Sequence, residues 1–212
     1  MSSDTEQPLV PSSVVGVVIA GGRSVRFGGE KAVACLAGRP LLMWAVTRLQ
    51  GSCAAVAVNA RPGTEAEALA RAEGLPVLFD ANGDAAGPLA GVKAGLAWAK
   101  EQGASALAVS PCDVPLLPND LFTRLIQAAG SGPAMAETSD GHQPLCAVWP
   151  VSALARVTEV LAGGAHPPTW SVLGSINAKR VHFTTPEAFA NINTRADLAT
   201  TAGRLKATSP SR

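Results

Sequence analysis

Within eleven residues, Gly21 to Lys31, the chain places Gly21, Gly22, Gly28 and Gly29 among the cations Arg23, Arg26 and Lys31. Glycines let the backbone come close to a ligand, and N–H groups and cations together favour an anionic one. Known phosphate loops do not fit this spacing. G-x-G-x-x-G needs a residue between its first two glycines, and the P-loop needs Gly before its lysine and Ser or Thr after it, where this chain has Glu30 and Ala32.

The loop follows Val14–Ala20, an apolar, largely β-branched run of the kind that forms a buried parallel strand. Further strands are expected at 54–58, 76–79 and 105–109, ending near Asn59, Asp80 and Asp113. Helices are expected over 40–50, 64–73, 87–100 and 118–129. Alternation of strand and helix predicts a doubly wound α/β fold with a mostly parallel sheet. Beyond it, short strands over 134–137 and 145–149 flank a turn containing His142 and predict a mixed C-terminal edge. A helix over 150–161, a strand near 181–183 and a helix from Arg195 complete the pattern. The expected division is a tail over 1–13, one domain over 14–205 and a flexible end over 206–212.

In open α/β sheets, ligands bind across the carboxyl ends of the strands. Asp113 offers a hard oxygen of the kind magnesium shares with phosphates and water, although a turn aspartate is its other reading. Asp80 could accept hydrogen bonds from a base or ribose, or be a solvated loop residue. Asn59 is similar in kind.

The pattern A-G-G-x-S-x-R-F-G-x-x-K, the segment P-C-D-V-P-L-L-P at 111–118, Asp80 followed by G-P-L-A-G at 87–91, and N-I-N-T at 191–194 together resemble the molybdenum cofactor guanylyltransferase family of nucleotidyltransferases, Rossmann-like in fold. The resemblance implies transfer of GMP from GTP to molybdenum-molybdopterin, with Mg2+ as cofactor. It places Ala20, Gly21, Gly22, Arg23, Ser24, Lys31, Asn59, Asp80 and Asp113 on the nucleotide. Arg26, Lys31 and Asp113 become the catalytic residues, with the metal on Asp113. His142, Asn191 and Asn193 fall on the molybdopterin side, although Asn193 could equally cap the last helix. Insertion proteins and apo-molybdoenzymes follow as candidate partners.

A cytidylyltransferase of the same fold, a sugar-nucleotide or isoprenoid-pathway nucleotidyltransferase, and a non-catalytic cofactor carrier are the competing readings. The G-P-L-A-G and P-C-D segments favour guanine, and the presence of both Lys31 and Asp113, which a mere binder would not require, favours an enzyme over a carrier. A formal net charge of +1 argues against nucleic acid or an anionic membrane as partner. Four cysteines without a C-x-x-C pair suggest neither a zinc site nor a disulfide framework. With no signal-like start, a cytoplasmic location is expected.

Overall fold

β-branched residues at alternating positions decide which helices cover which face of the sheet. In the computed structural model, which describes residues 13–22, 25–81, 87–163 and 167–208, β1 spans Val14–Ile19. Val14 and Val18 point to one face, and Val15 and Val17 to the other. The remaining strands are β2 (Cys35–Leu36), β3 (Arg39–Pro40), β4 (Val56–Asn59), β5 (Val77–Leu78), β6 (Ala106–Pro111), β7 (Ala134–Thr138), β8 (Gly141–Pro150) and β9 (Lys179–His182). The helices are α1 (Leu41–Gln50), α2 (Glu65–Ala72), α3 (Pro88–Glu101), α4 (Leu121–Ala129), α5 (Ala153–Ala162), α6 (Thr169–Ser175) and α7 (Arg195–Thr208). Residues 1–12 of the expected tail, Arg23, Ser24 and the chain from 209 onward fall outside the described residues.

Seven strands form the main sheet in the order β5-β4-β1-β6-β8-β7-β9. The strands from β5 to β6 are mutually parallel, β8 runs antiparallel to both β6 and β7, and β9 is parallel to β7. This is the expected doubly wound sheet with a mixed C-terminal side. Chain order reverses between β1 and β6, so the loops after these strands diverge and leave a crevice between them.

One face is covered by α1, α2 and α4 through Leu42, Val46, Leu49, Phe122 and Leu125, and the other by α3, α5 and α6 through Val92, Leu96, Val157, Val172 and Leu173. Full burial of each such side chain contributes about 1.5–3 kcal/mol. Contact is close where glycines face the helices or the sheet. A Cβ on Gly16 would sit 3.1 Å from Leu49 Cδ1, and one on Gly95 would sit 2.8 Å from Leu107 Cδ2.

One strand expectation is corrected. β8 begins at Gly141 and not at 145, so His142 lies on a strand, opposite Glu137, and not in the turn. The reason is a bulge: Met135 pairs with Ala147 while the next residue, Ala136, pairs with Gln143, so Pro144, Leu145 and Cys146 loop out and pairing resumes beyond them. The β2–β3 hairpin, turned by Ala37 and Gly38 at φ 50° and 79°, and helix α6 were not foreseen.

Candidate active site

Four strand ends converge on a cavity of about 510 Å³ lined by Gly21 and Gly22 after β1, Asn59 at the end of β4, Asp80 after β5 and Asp113 after β6, with Lys31 reaching in from the loop. Ala20 lines it as well. The loops are tied to one another by backbone hydrogen bonds from Ala20 N to Asn59 O (2.8 Å), Cys112 N to Ile19 O (3.3 Å) and Ile192 N to Asp113 O (2.9 Å). The last of these brings the N-I-N-T segment against the P-C-D segment from 79 residues away in sequence.

On one side of the cavity the Lys31 ammonium donates to Asp113 Oδ2 at 2.7 Å and to Asn193 Oδ1 at 3.2 Å. The Lys31 and Asp113 side chains are 13% and 20% exposed, enough for a ligand to reach them and too little for water to screen them fully. Two anchors hold Lys31 there. Glu30, its neighbour, accepts from Glu65 N at 2.6 Å and Ala66 N at 3.0 Å, pinning the loop to the start of α2. Phe27 is buried with Leu36, Leu41 and Ile192, and Arg195 stacks over its ring at 5.7 Å.

Asn193 does not cap α7. Thr194 and Asp197 do so: Thr194 Oγ1 accepts from Asp197 N at 3.1 Å, and Asp197 Oδ2 accepts from Asn193 N and Thr194 N, each at 2.8 Å. The Asn193 amide is thereby left to Lys31. Those backbone donors hold the Asp197 carboxyl below the usual carboxylate range. A depressed folded-state value stabilises the protein above the unfolded value of about 3.9 and loses that stabilisation as pH falls through the folded value. Asp197→Asn is therefore expected to lower the urea midpoint at pH 7, with the gap from the parent protein narrowing as pH falls below about 3.9. A gap that stays constant across that range removes the carboxylate's role.

On the other side, Asn59 is 2% exposed, and its Nδ2 donates to Asp80 Oδ1 at 2.9 Å and to Leu78 O at 3.3 Å. It is buried against Gly91, so its first function is to fix the direction of the Asp80 carboxylate. Asp80 is itself exposed toward the cavity.

The remaining site residues divide. Arg26 is exposed on the single 3-10 turn Val25–Phe27 and does not line the cavity; Asn191 is exposed beside the buried Ile192. His142 faces a different cavity, with Trp170 and Arg180. Arg61, absent from the sequence expectations, lines the nucleotide-sized cavity two residues beyond Asn59, and a cation just after a strand end was the available signal. Cys112 also lines it, but burial, reinforced by the neighbouring Asp113 charge, pushes its thiol up to about 12. Burial does the same to Cys53, up to about 12, and raises Cys146. These protonated thiols are poor nucleophiles and metal ligands.

A family model described as the MobA-like NTP transferase domain matches residues 16–177, the stretch that contains the loop, Asn59, Asp80 and Asp113. This chain belongs to that family. It is a nucleotidyltransferase. A molybdenum cofactor guanylyltransferase of Cereibacter sphaeroides is 38% identical over 187 residues, covering 87% of this chain and 93% of the relative. One from Acidiphilium cryptum is 39% identical over 91% of this chain and 96% of its own length. Among solved structures, molybdopterin-guanine dinucleotide biosynthesis protein A from Archaeoglobus fulgidus superposes with a TM-score of 0.70 at 21% identity, over 92% of this chain and all of that one. A 4-diphosphocytidyl-2C-methyl-D-erythritol synthase from Anaerococcus prevotii reaches 0.71 at 12% identity, over 92% of this chain and 97% of that one, so the MobA-like transferase shares its fold with enzymes of other names. Among the described residues no helix is long and apolar enough to cross a membrane.

Proposed function

We propose that this transferase moves GMP from GTP to molybdenum-molybdopterin, forming the guanine dinucleotide form of the cofactor and releasing pyrophosphate. The observation that carries the reading is that one cavity joins a cation–carboxylate pair, Lys31 and Asp113, to a fixed carboxylate, Asp80, in a chain 38% identical to guanylyltransferases over most of its length. The acceptor's phosphate oxygen forms a bond to the α-phosphorus of GTP as the bond to the bridging oxygen breaks, and pyrophosphate takes the electron pair. A phosphate monoester is largely ionised at neutral pH, so no general base is needed. The protein's contribution is then position and charge.

Gly21 and Gly22 let the triphosphate approach the backbone, and Lys31 and Arg61 bring positive charge to it. Arg23, Ser24 and Arg26 belong to the same loop and are assigned to the same phosphates. Asp80 accepts from the N1–H and amino group of guanine, a pair of donors that cytosine and adenine lack on one edge. Asn191 and Asn193 border the acceptor, Asn193 through Lys31.

A divalent metal suits the donor set. No group of three His, Cys, Asp or Glu residues gathers among the described residues, and magnesium shared with phosphates and water needs only one or two carboxylates. Asp113 is the residue that would hold it. When bound, magnesium supplies charge neutralisation at the nucleotide's phosphate oxygens.

The deciding experiment measures magnesium-dependent pyrophosphate release from GTP, CTP and ATP in parallel, with molybdenum-molybdopterin supplied. Release from GTP alone is expected. Release from CTP alone would overturn the guanine assignment, and binding without release would overturn the reaction. In the same assay Asp80→Asn, which loses one charge-assisted acceptor, is expected to lower kcat/KM for GTP by roughly 10- to 100-fold and to abolish the preference for GTP over inosine triphosphate, which lacks the amino group.

A further inference from the structure

Lys31 and Arg61 are the two cations that line the nucleotide cavity among the described residues, and the first turn of α2 is bonded to the chain beside each of them. On the Lys31 side, the Glu30 carboxylate accepts from Glu65 N through Oε2 and from Ala66 N through Oε1. On the Arg61 side, Thr64 Oγ1 donates to Arg61 O at 2.6 Å and accepts from Glu67 N at 3.4 Å. Glu67 Oε2 in turn accepts from Gly63 N at 2.7 Å, which closes the turn between Arg61 and the helix. A helix start leaves its first N–H groups without partners inside the helix. Thr64 serves one of these locally, and Glu30 serves two more from 35 and 36 residues upstream. The helix is a firm base for both attachments, since Ala66 and Ala70 are fully buried in the core on the α1–α2–α4 face. Arg61 lies along the glycine loop, its Cγ 3.9 Å from where a Cβ on Gly21 would stand.

We infer that the first turn of α2 is a bracket that fixes Lys31 and Arg61 relative to one another, with Glu30 and Thr64 as its positioning residues, and that the spacing it sets serves the pyrophosphate leaving group. The inference rests on the transferase reading and deepens it. Three features argue for it. A carboxylate next to Lys31, in a loop suited to anions, is unfavourable unless its charge is taken up elsewhere, and two N–H groups at the positive end of α2 do so. There is also no slack between the anchor and the cation: Glu30 is the N-cap position of the 3-10 turn Lys31–Val33, so fixing one carboxylate fixes the start of that turn. The Arg61 guanidinium, for its part, is a planar fork that matches two phosphate oxygens, and its approach depends on where Thr64 holds the Arg61 backbone. Charge gathers on pyrophosphate as its bond to the α-phosphorus breaks, so cations held in place beforehand stabilise that stage most. Asp80 is held separately, by Asn59, so the guanosine half of the nucleotide lies outside the bracket.

The test is calorimetric titration of the full-length protein with inorganic pyrophosphate and, separately, with GMP, both in magnesium. Glu30→Ala and Arg61→Ala are each expected to weaken pyrophosphate about tenfold while GMP affinity stays at the parent value, a split that a general loss of structure would not give. Glu30→Gln, which keeps one acceptor oxygen, recovers part of the loss, and Arg61→Lys, which keeps the charge without the fork, does the same. In turnover, kcat for pyrophosphate release from GTP falls about tenfold in Glu30→Ala, with the KM for molybdenum-molybdopterin unchanged. The Glu30→Ala/Arg61→Ala double variant loses less pyrophosphate affinity than the two single losses multiplied. Pyrophosphate affinity that is unchanged in Glu30→Ala and Glu30→Gln, or that falls together with GMP affinity, overturns the bracket and leaves the guanylyltransferase reading standing, and so do single losses that multiply in the double variant. A parent protein that does not bind pyrophosphate also overturns the bracket, and its turnover with GTP and molybdenum-molybdopterin then decides whether the wider reading falls with it.

Discussion

Lys31→Ala and Asp113→Ala each lower kcat for pyrophosphate release from GTP by roughly ten- to a thousandfold, the range observed when one preorganised electrostatic stabiliser is removed. The geometry says why neither can be replaced by its neighbour. Lys31 is held by Asp113 Oδ2 and Asn193 Oδ1, and the loop carrying it is anchored by Glu30 and Phe27, so its charge is positioned before substrate arrives. Alanine at 31 removes that charge and leaves a partly buried carboxylate without its cation. Alanine at 113 removes the carboxylate proposed to hold the metal and takes the Asp113 acceptor from Lys31.

Because the two groups are in contact, their effects should not add. The double variant is expected to be little worse than the weaker single one. Asp113→Asn separates the roles. It keeps an oxygen for Lys31 but lowers the charge on the metal ligand, so the magnesium concentration for half-maximal turnover rises. Singles near the parent rate, or a double variant that multiplies their losses, would show that Lys31 and Asp113 do not act as one unit at the reacting phosphorus.

The central strands β1, β4 and β6 were legible because each is buried and reads as a largely apolar run, and the residues that line the crevice were legible because it takes whatever ends parallel strands. What was not legible depends on contacts distant in sequence. Glu30 looks like part of a phosphate loop, but its carboxylate caps α2, 35 residues on. Asn193 has the right residue type for an N-cap, and only the Thr194–Asp197 pair, which takes that task, leaves it to Lys31.

Helix α6 has just seven residues, among them Trp170, Val172 and Gly174, and little intrinsic helix preference. It forms because Val172 and Leu173 are buried against the sheet. Missing α6 meant missing the second cavity, since α6 supplies the indole that stands beside His142 there. The two-residue strands β2 and β3 carry no periodicity at all.

Gly91→Ala is expected to damage both stability and nucleotide binding, although alanine is the better helix former by about 1 kcal/mol in an open helix interior. A Cβ at position 91 would lie 2.4 Å from Asn59 Oδ1, 2.9 Å from its Cγ and 2.9 Å from Ile19 Cδ1. Neither neighbour can yield easily. Ile19 ends the central strand, and the Asn59 side chain is buried and tied to Asp80 and Leu78. Overpacking of this kind costs about 1–3 kcal/mol, enough to outweigh the helix preference.

The displaced group is the amide that orients Asp80, so the bonds from Asn59 Nδ2 to Asp80 Oδ1 and Leu78 O are strained together. KM for GTP should rise several-fold with a smaller change in kcat, because Lys31 and Asp113 stand on other loops. Gly203→Ala in α7 is the control: a Cβ there meets nothing within 4 Å, and the substitution should be neutral or stabilising by up to about 1 kcal/mol. Urea midpoints and GTP kinetics on the two variants separate the effects. If Gly91→Ala matches Gly203→Ala in stability and keeps the parent KM, then Asn59 can move without Asp80 following, and the base-facing carboxylate is not held from behind.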